Sequence, residues 1–155
     1  MEHGTTRVGQ TSATDHTAYR FGGVRSVRSN GTSTSIVTLS RATLERTQFS
    51  QGERVTLHVS TEPTGCIRID RWDQTHPHFR ANTDWRDAGV RKVRQNGSSS
   101  VVTLPNLAMD YTAIREGDAL AQYARSDGLV LVPDRPDQQL PNELEAYLQQ
   151  EWDDV

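Results

Sequence analysis

Sixteen of the 17 basic residues in this chain are arginines, and Lys92 is the single lysine. Arginine presents a planar fork of donors suited to paired hydrogen bonds with phosphates and with the guanine edge. One short frame carries these side chains twice. Gly23-Val-Arg-Ser-Val-Arg-Ser-Asn-Gly31 recurs as Gly89-Val-Arg-Lys-Val-Arg-Gln-Asn-Gly97, identical at seven of nine positions. The candidate binding residues are therefore Arg25 and Arg28 in the first frame, and Arg91, Lys92 and Arg94 in the second. Hydroxyl-rich turns follow each frame, with Ser98 and Ser99 in the second, and offer uncharged contacts to phosphate. A single frame of this kind reads as a solvated strand face; its recurrence favours a shared polyanionic ligand. Arg25 and Arg28 stand three apart and would face opposite ways in a regular strand. Either a bulge realigns them or the strand leaves its sheet there.

Other chemistries find little support. No Gly-x-Ser-x-Gly elbow accompanies the histidines, and no Gly-x-x-x-x-Gly-Lys loop is present. Cys66 is the only cysteine, which excludes an internal disulfide and a multi-cysteine zinc site. Asp73, His76 and His78 lack a further ligand at a supportive spacing, so residues 72–88 read as a polar linker pinned by Trp72 and Trp85. The expectation is a protein that is not an enzyme and has no metal or cofactor.

The elements that position the arginines repeat along with them. Ser35-Ile-Val-Thr-Leu39 matches Ser100-Val-Val-Thr-Leu104, and Gln51-Gly-Glu53 matches Glu116-Gly-Asp118. Each unit reads as an alternating strand, an Asn-Gly turn, a β-branched strand, a short helix and a closing hairpin. The helices are expected over 41–47, with Ser40 as cap, and over 106–112, begun by Pro105. The hairpins are expected over 55–59 with 66–69 and over 120–124 with 129–132. A β-β-α-β-β unit of this size is too short to bury a core alone, so two must interleave, within one chain or between chains.

These residues resemble the AbrB/MazE/SpoVT family of swapped-hairpin DNA-binding proteins. Val-Arg-x-Asn-Gly-Ser-Ser-x-Val-Val-Thr-Leu-Pro over 93–105, Ile-Arg-Glu-Gly-Asp over 114–118 and the strand Gly128–Pro133 carry the likeness. The first copy is degenerate: Thr34 is inserted and Ser40 stands in place of the proline. The resemblance implies a mainly β fold in which two tandem units exchange hairpins to form a β-barrel. It also implies a homodimer that binds double-stranded DNA as a transcriptional regulator, with repression as the expected mode, and by position it adds Asn30 and Asn96 to Arg25, Arg28, Arg91, Lys92 and Arg94 as DNA-binding residues. The expected organisation is an N-terminal arm (1–20), a first repeat (21–71), the linker (72–88), a second repeat (89–134) and an acidic C-terminal helix (135–155).

Charge and hydropathy fit this division. Net charge is −3, yet residues 1–115 hold 15 basic and 10 acidic groups (+5), and residues 116–155 hold two and ten (−8). No apolar run approaches a membrane span, and no apolar leader marks the first twenty residues, so a cytoplasmic protein is expected. In the tail, Leu140, Leu144, Leu148 and Trp152 recur every four residues with Tyr147 beside them, and Asn142 with Glu145 has capping-box spacing. This apolar face either packs on the protein's own barrel or dimer mate, or docks a partner protein, as the acidic segments of antitoxins in the family do.

Overall fold

Two valines set the architecture. Val27 and Val93 are buried at 2% and 1% exposure, and each interrupts a strand. The computed structural model describes residues 19–31, 33–61, 64–72 and 85–136. In it β1 (Arg20–Ser26) ends at Val27 and resumes as β2 (Arg28–Ser29); β3 (Ser35–Leu39), α1 (Arg41–Thr47), β4 (Arg54–Ser60) and β5 (Cys66–Arg71) follow. The second half has the same order. β6 (Arg86–Lys92) ends at Val93 and resumes as β7 (Arg94–Asn96), followed by β8 (Ser99–Leu104), α2 (Asn106–Thr112), β9 (Ala119–Arg125) and β10 (Gly128–Pro133). β6 thus begins inside the stretch read as linker.

The strands form two antiparallel sheets, with orders β1-β9-β10-β5-β4-β6 and β2-β3-β8-β7. The fold is mainly β with two short helices, as expected, but the described strands form no closed barrel. The bends explain the difference. Val27 N–H donates to the Asp118 carbonyl (2.8 Å) and Val93 N–H to that of Glu53 (2.9 Å). Gly117 and Gly52, at φ 94° and 87°, donate back to the carbonyls of Val27 and Val93. These bonds go to turns, so the ladder is broken at the corners and the edges of the two sheets do not pair with each other.

Register is shared by the halves. β1 lies against β9, with Gly23 opposite Gln122 and Arg25 opposite Leu120. β6 lies against β4, with Gly89 opposite Leu57 and Arg91 opposite Val55. Each edge strand carries one extra residue, Gly22 or Ala88, a bulge completed by a glycine at positive φ (Gly23 at 111°, Gly89 at 116°). One apolar core fills the space between the sheets: Val37, Leu39, Val102 and Leu104 from the smaller, and Leu57, Ile67, Ile69, Leu120, Leu129 and Leu131 from the larger.

The helices match their expected bounds, but their starts differ. Ser40 caps α1 by accepting from Thr43 N–H at 3.1 Å. Pro105 occupies the cap position of α2 itself, one residue before the helix, and makes no side-chain cap bond. Behind the α1 cap lies a polar cluster. The Gln122 Oε1 atom accepts from Ser40 N–H (3.1 Å) and from the Thr43 hydroxyl (2.8 Å), and its Nε2 donates to the Thr38 carbonyl (2.7 Å).

The opposite face of the larger sheet is also buried. Tyr19, Cys66, Val130 and Val132 form a second apolar cluster, with Trp85 and Tyr123 against it. Beside it Asp70 accepts from Arg68 Nε at 3.0 Å and lies 3.8 Å from Arg125 Nη2, with all three residues at most 5% exposed. His58 stands opposite Arg68 on this face. Burial pushes its pKa below 6.5, only partly offset by Asp70 and Asp87. The folded protein thus binds fewer protons here than the unfolded chain. Its contribution to stability is full above pH 6.5 and is lost as pH falls through the lowered value. Denaturant titrations should show stability declining with acid below about pH 6.5, and the slope flattening in His58→Gln; an unchanged slope would refute the assignment.

Candidate nucleic-acid interface

The bends that break the ladder also place the arginines. Arg25 lies next to the end of β1, Arg28 opens β2, and buried Val27 turns the chain between them, which resolves the three-residue spacing. Arg91 and Lys92 end β6 and Arg94 opens β7 around Val93 in the same manner. The alternation supports this: with each valine inward, the residues after it must face out. Arg28, Lys92 and Arg94 are exposed, as are Arg25, Asn30, Asn96 and Ser98; Arg91 and Ser99 are half-buried. Arg25 and Arg91 take the same posture, Nη1 donating to the carbonyl of the preceding valine at 2.8 and 2.7 Å.

Both arginines of the smaller sheet lie on its outward face. Arg28 is opposite Ile36, which is opposite Thr103; Arg94 is opposite Val101, which is opposite Thr38. Directly paired residues share a face, so this face holds Arg28 and Arg94 at its two sides with the buried Ile36 and Val101 and the half-buried Thr38 and Thr103 between them. Asn96 and its partner Ser99 lie on it as well, two residues along from the Arg94 pair. β2 and β7 are separated by two strands, or about 14 Å at ordinary strand spacing. That is close to the roughly 12 Å width of the DNA major groove. The candidates therefore form two basic edges flanking a hydroxyl-bearing face.

Asn30 closes the first turn, and Asn96 ends β7 opposite Ser99 at the second. Asn30 N–H donates to the Thr34 carbonyl at 2.9 Å around Gly31 (φ 84°), and Gly97 at φ 66° closes the β7–β8 hairpin. The inserted Thr34 makes the first turn one residue longer than the second, so the two tips are not equivalent.

The edges also differ in charge, through a residue the sequence pattern does not single out. Arg54 pairs directly with Lys92, whereas the matching pair on the other edge is Ala119 with Ser26. Like charges directly opposed repel across a strand pair. The adjacent carboxylate, Glu53, is already engaged by Arg71 Nε and by Ser50 N–H. Arg54 lies 5.6 Å from the centre of the Trp72 ring, which is itself half exposed. The second edge thus concentrates Arg54, Arg91, Lys92 and Arg94 where a bound polyanion would relieve their repulsion. The only trace of Arg54 in the sequence is its place at the start of the first hairpin, one residue after Glu53.

Leu140, Leu144, Tyr147, Leu148 and Trp152, together with Asp73, His76 and His78, lie outside the described residues. Among the described residues no group of three or more histidine, cysteine or acidic side chains could hold a metal ion, and no helix is long and apolar enough to cross a membrane. Compared with protein-family models, curated proteins and solved structures, the chain matches none.

Proposed function

We propose that this protein is a double-stranded-DNA-binding regulator of transcription that acts by occupying its operator, a cytoplasmic repressor built from two tandem swapped-hairpin units. The observation that carries the DNA reading is the second basic edge, where Arg54 is directly opposed to Lys92 and flanked by Arg91 and Arg94. The swapped-hairpin reading is supported by partner choice. The β9–β10 hairpin of the second half completes the edge strand of the first, and β4 of the first half completes β6 of the second. One chain thereby supplies both units, and a homodimer of such chains would present two pairs of basic edges.

In this reading the arginines hold phosphates on either side of a groove, and Asn96, Ser99, Thr38 and Thr103 face the bases or bridging water between them. Arg91→Ala with Arg94→Ala is expected to weaken DNA binding about tenfold or more at moderate salt. The slope of log affinity against log salt should fall by about 0.9 for each phosphate no longer neutralised. A gel-shift salt series checks this, with Arg41→Ala as control, since Arg41 is an equally charged, exposed side chain of α1 paired with Glu45. Equal losses in both variants, or none in the double variant, would remove the basis for the assignment.

A further inference from the structure

The halves share register but not the chemistry of one buried position. Where α2 starts over the larger sheet, the three matching places are held by Leu57, Pro105 and Ala108. Where α1 starts, they are held by Gln122, Ser40 and Thr43, which are hydrogen-bonded to each other. Three apolar residues thus have a polar counterpart at every position. Gln122 is fully buried, as is Thr43, and Ser40 is 4% exposed. The cluster is complete only because Gln122 belongs to one half of the chain while Ser40 and Thr43 belong to the other.

The adjoining bulge is matched to it. A Cβ at Gly22 would overlap Thr43 Oγ1, and the Gly22 carbonyl accepts from the Ser40 hydroxyl. The corresponding bulge residue of the second half is Ala88, and the helix residue at the place of Thr43 is there Ala108. Glycine is required where the helix carries threonine, and alanine is accommodated where it carries alanine.

We propose that this cluster is a pairing key: the surface around β1 and α1 accepts the β9–β10 hairpin of the other half and rejects the β4–β5 hairpin of a second copy. Pairing of two first halves from different chains would set Leu57 against Ser40 and Thr43, leaving the Ser40 N–H and the Thr43 hydroxyl without Gln122 Oε1. Pairing of two second halves would set Gln122 against Pro105, which has no N–H, and Ala108, which has no hydroxyl. Each buried polar group stranded in this way shifts the equilibrium against the wrong pair roughly 5- to 150-fold. Both mispairings strand such groups, and the pairing of unlike halves strands none in this cluster. The key depends on the two-unit reading and not on DNA binding, so a chain that ignores DNA leaves it intact.

A cross-link reads the pairing directly. In the fold Ser26 is opposite Ala119 and Arg54 is opposite Lys92. Pairing of two first halves would instead put Ser26 opposite Arg54 of the second copy. Full-length chains carrying Ser26→Cys and Arg54→Cys on a Cys66→Ala background are refolded at high concentration in a redox buffer and run on a non-reducing gel. With the cluster intact no covalent dimer is expected. With Ser40→Pro, Thr43→Ala and Gln122→Leu, the covalent dimer becomes a major species. With the cluster intact, Ser26→Cys and Ala119→Cys close an internal cross-link that marks the native pairing, and circular dichroism reports folding of every variant whichever halves pair. If the triple variant does not fold, Gln122→Leu alone serves: more covalent dimer than with the unaltered cluster supports the key. A dimer formed with the cluster intact, or no increase when it is removed, overturns it.

Discussion

Asp70→Ala is expected to cost the fold about 3–5 kcal/mol, the size of effect that follows when one member of a buried ion network is removed. Its carboxylate lies between two guanidinium groups, 3.0 Å from Arg68 Nε and 3.8 Å from Arg125 Nη2. Arg125 also has Asp127 at 2.8 Å, and its guanidinium lies 4.9 Å from the Tyr19 ring centre. Arg68 is 1% exposed and stands at the shorter distance from Asp70, so it bears most of the loss. The cost arises from a charge left buried more than from an attraction removed, which makes a second outcome specific. Arg68→Met added to Asp70→Ala should recover part of the stability, although it removes yet another polar group. Thermal unfolding of the three proteins checks both statements, with a drop of roughly 10 °C or more for Asp70→Ala alone. A loss within about 1 kcal/mol would mean that water reaches the cluster.

Gly65→Ala is the second substitution of large expected effect. The residue lies against the last turn of α2, and a Cβ there would overlap the Thr112 carbonyl oxygen and stand 2.9 Å from the Thr112 Cα. Those atoms are backbone, so no rotamer change relieves the overlap; either the β4–β5 hairpin or the end of α2 must move. Overpacking in a core typically costs about 1–3 kcal/mol. A clash with backbone on both sides should reach or exceed the upper end of that range, about 3 kcal/mol. The comparison with Gly52→Ala separates space from conformation. Gly52 has φ 87°, and an added Cβ would meet nothing within 4 Å, so its loss reflects backbone strain alone. Denaturant midpoints should fall further for Gly65→Ala. The reverse order would show that hairpin and helix separate easily.

Most of the local structure is legible in the sequence, because local signals dictate it. Ser40 and the Gly52 and Gly117 turns bound the helices, and both helices fall at 41–47 and 106–112. β-branched runs mark β3 and β8, and Gly128 marks the start of β10. What the sequence withholds is long-range. The three-residue spacing of Arg25 and Arg28 offers a strand exit as one of two readings, but nothing near Arg25 says that its neighbour is Leu120, so the open sheets in place of a barrel cannot be read from it. Arg54 escapes notice for the same reason: its meaning comes from Lys92, 38 positions away, and the repeat gives no hint because Ala119 stands at the matching place. Arg68 and Asp70 alternate with Ile67 and Ile69 as an outward polar face should, and only the burial of that face reveals them as an internal ion pair.

The pairing of β1 with β9 also has a consequence for how the protein is made. About 100 residues separate the two strands, and synthesis proceeds at roughly 5–20 residues per second. The first strand therefore leaves the ribosome roughly 5–20 s before its neighbour exists. β6, by contrast, finds β4 and β5 already waiting when it emerges. Vectorial synthesis thus orders the assembly: the β5-β4-β6 edge can form first, and the edge bearing Arg25 is held open until the final hairpin arrives. A pause or truncation before residue 119 would leave that edge strand unpaired, a template for other chains, which makes the last two strands the step that commits each molecule to its own fold.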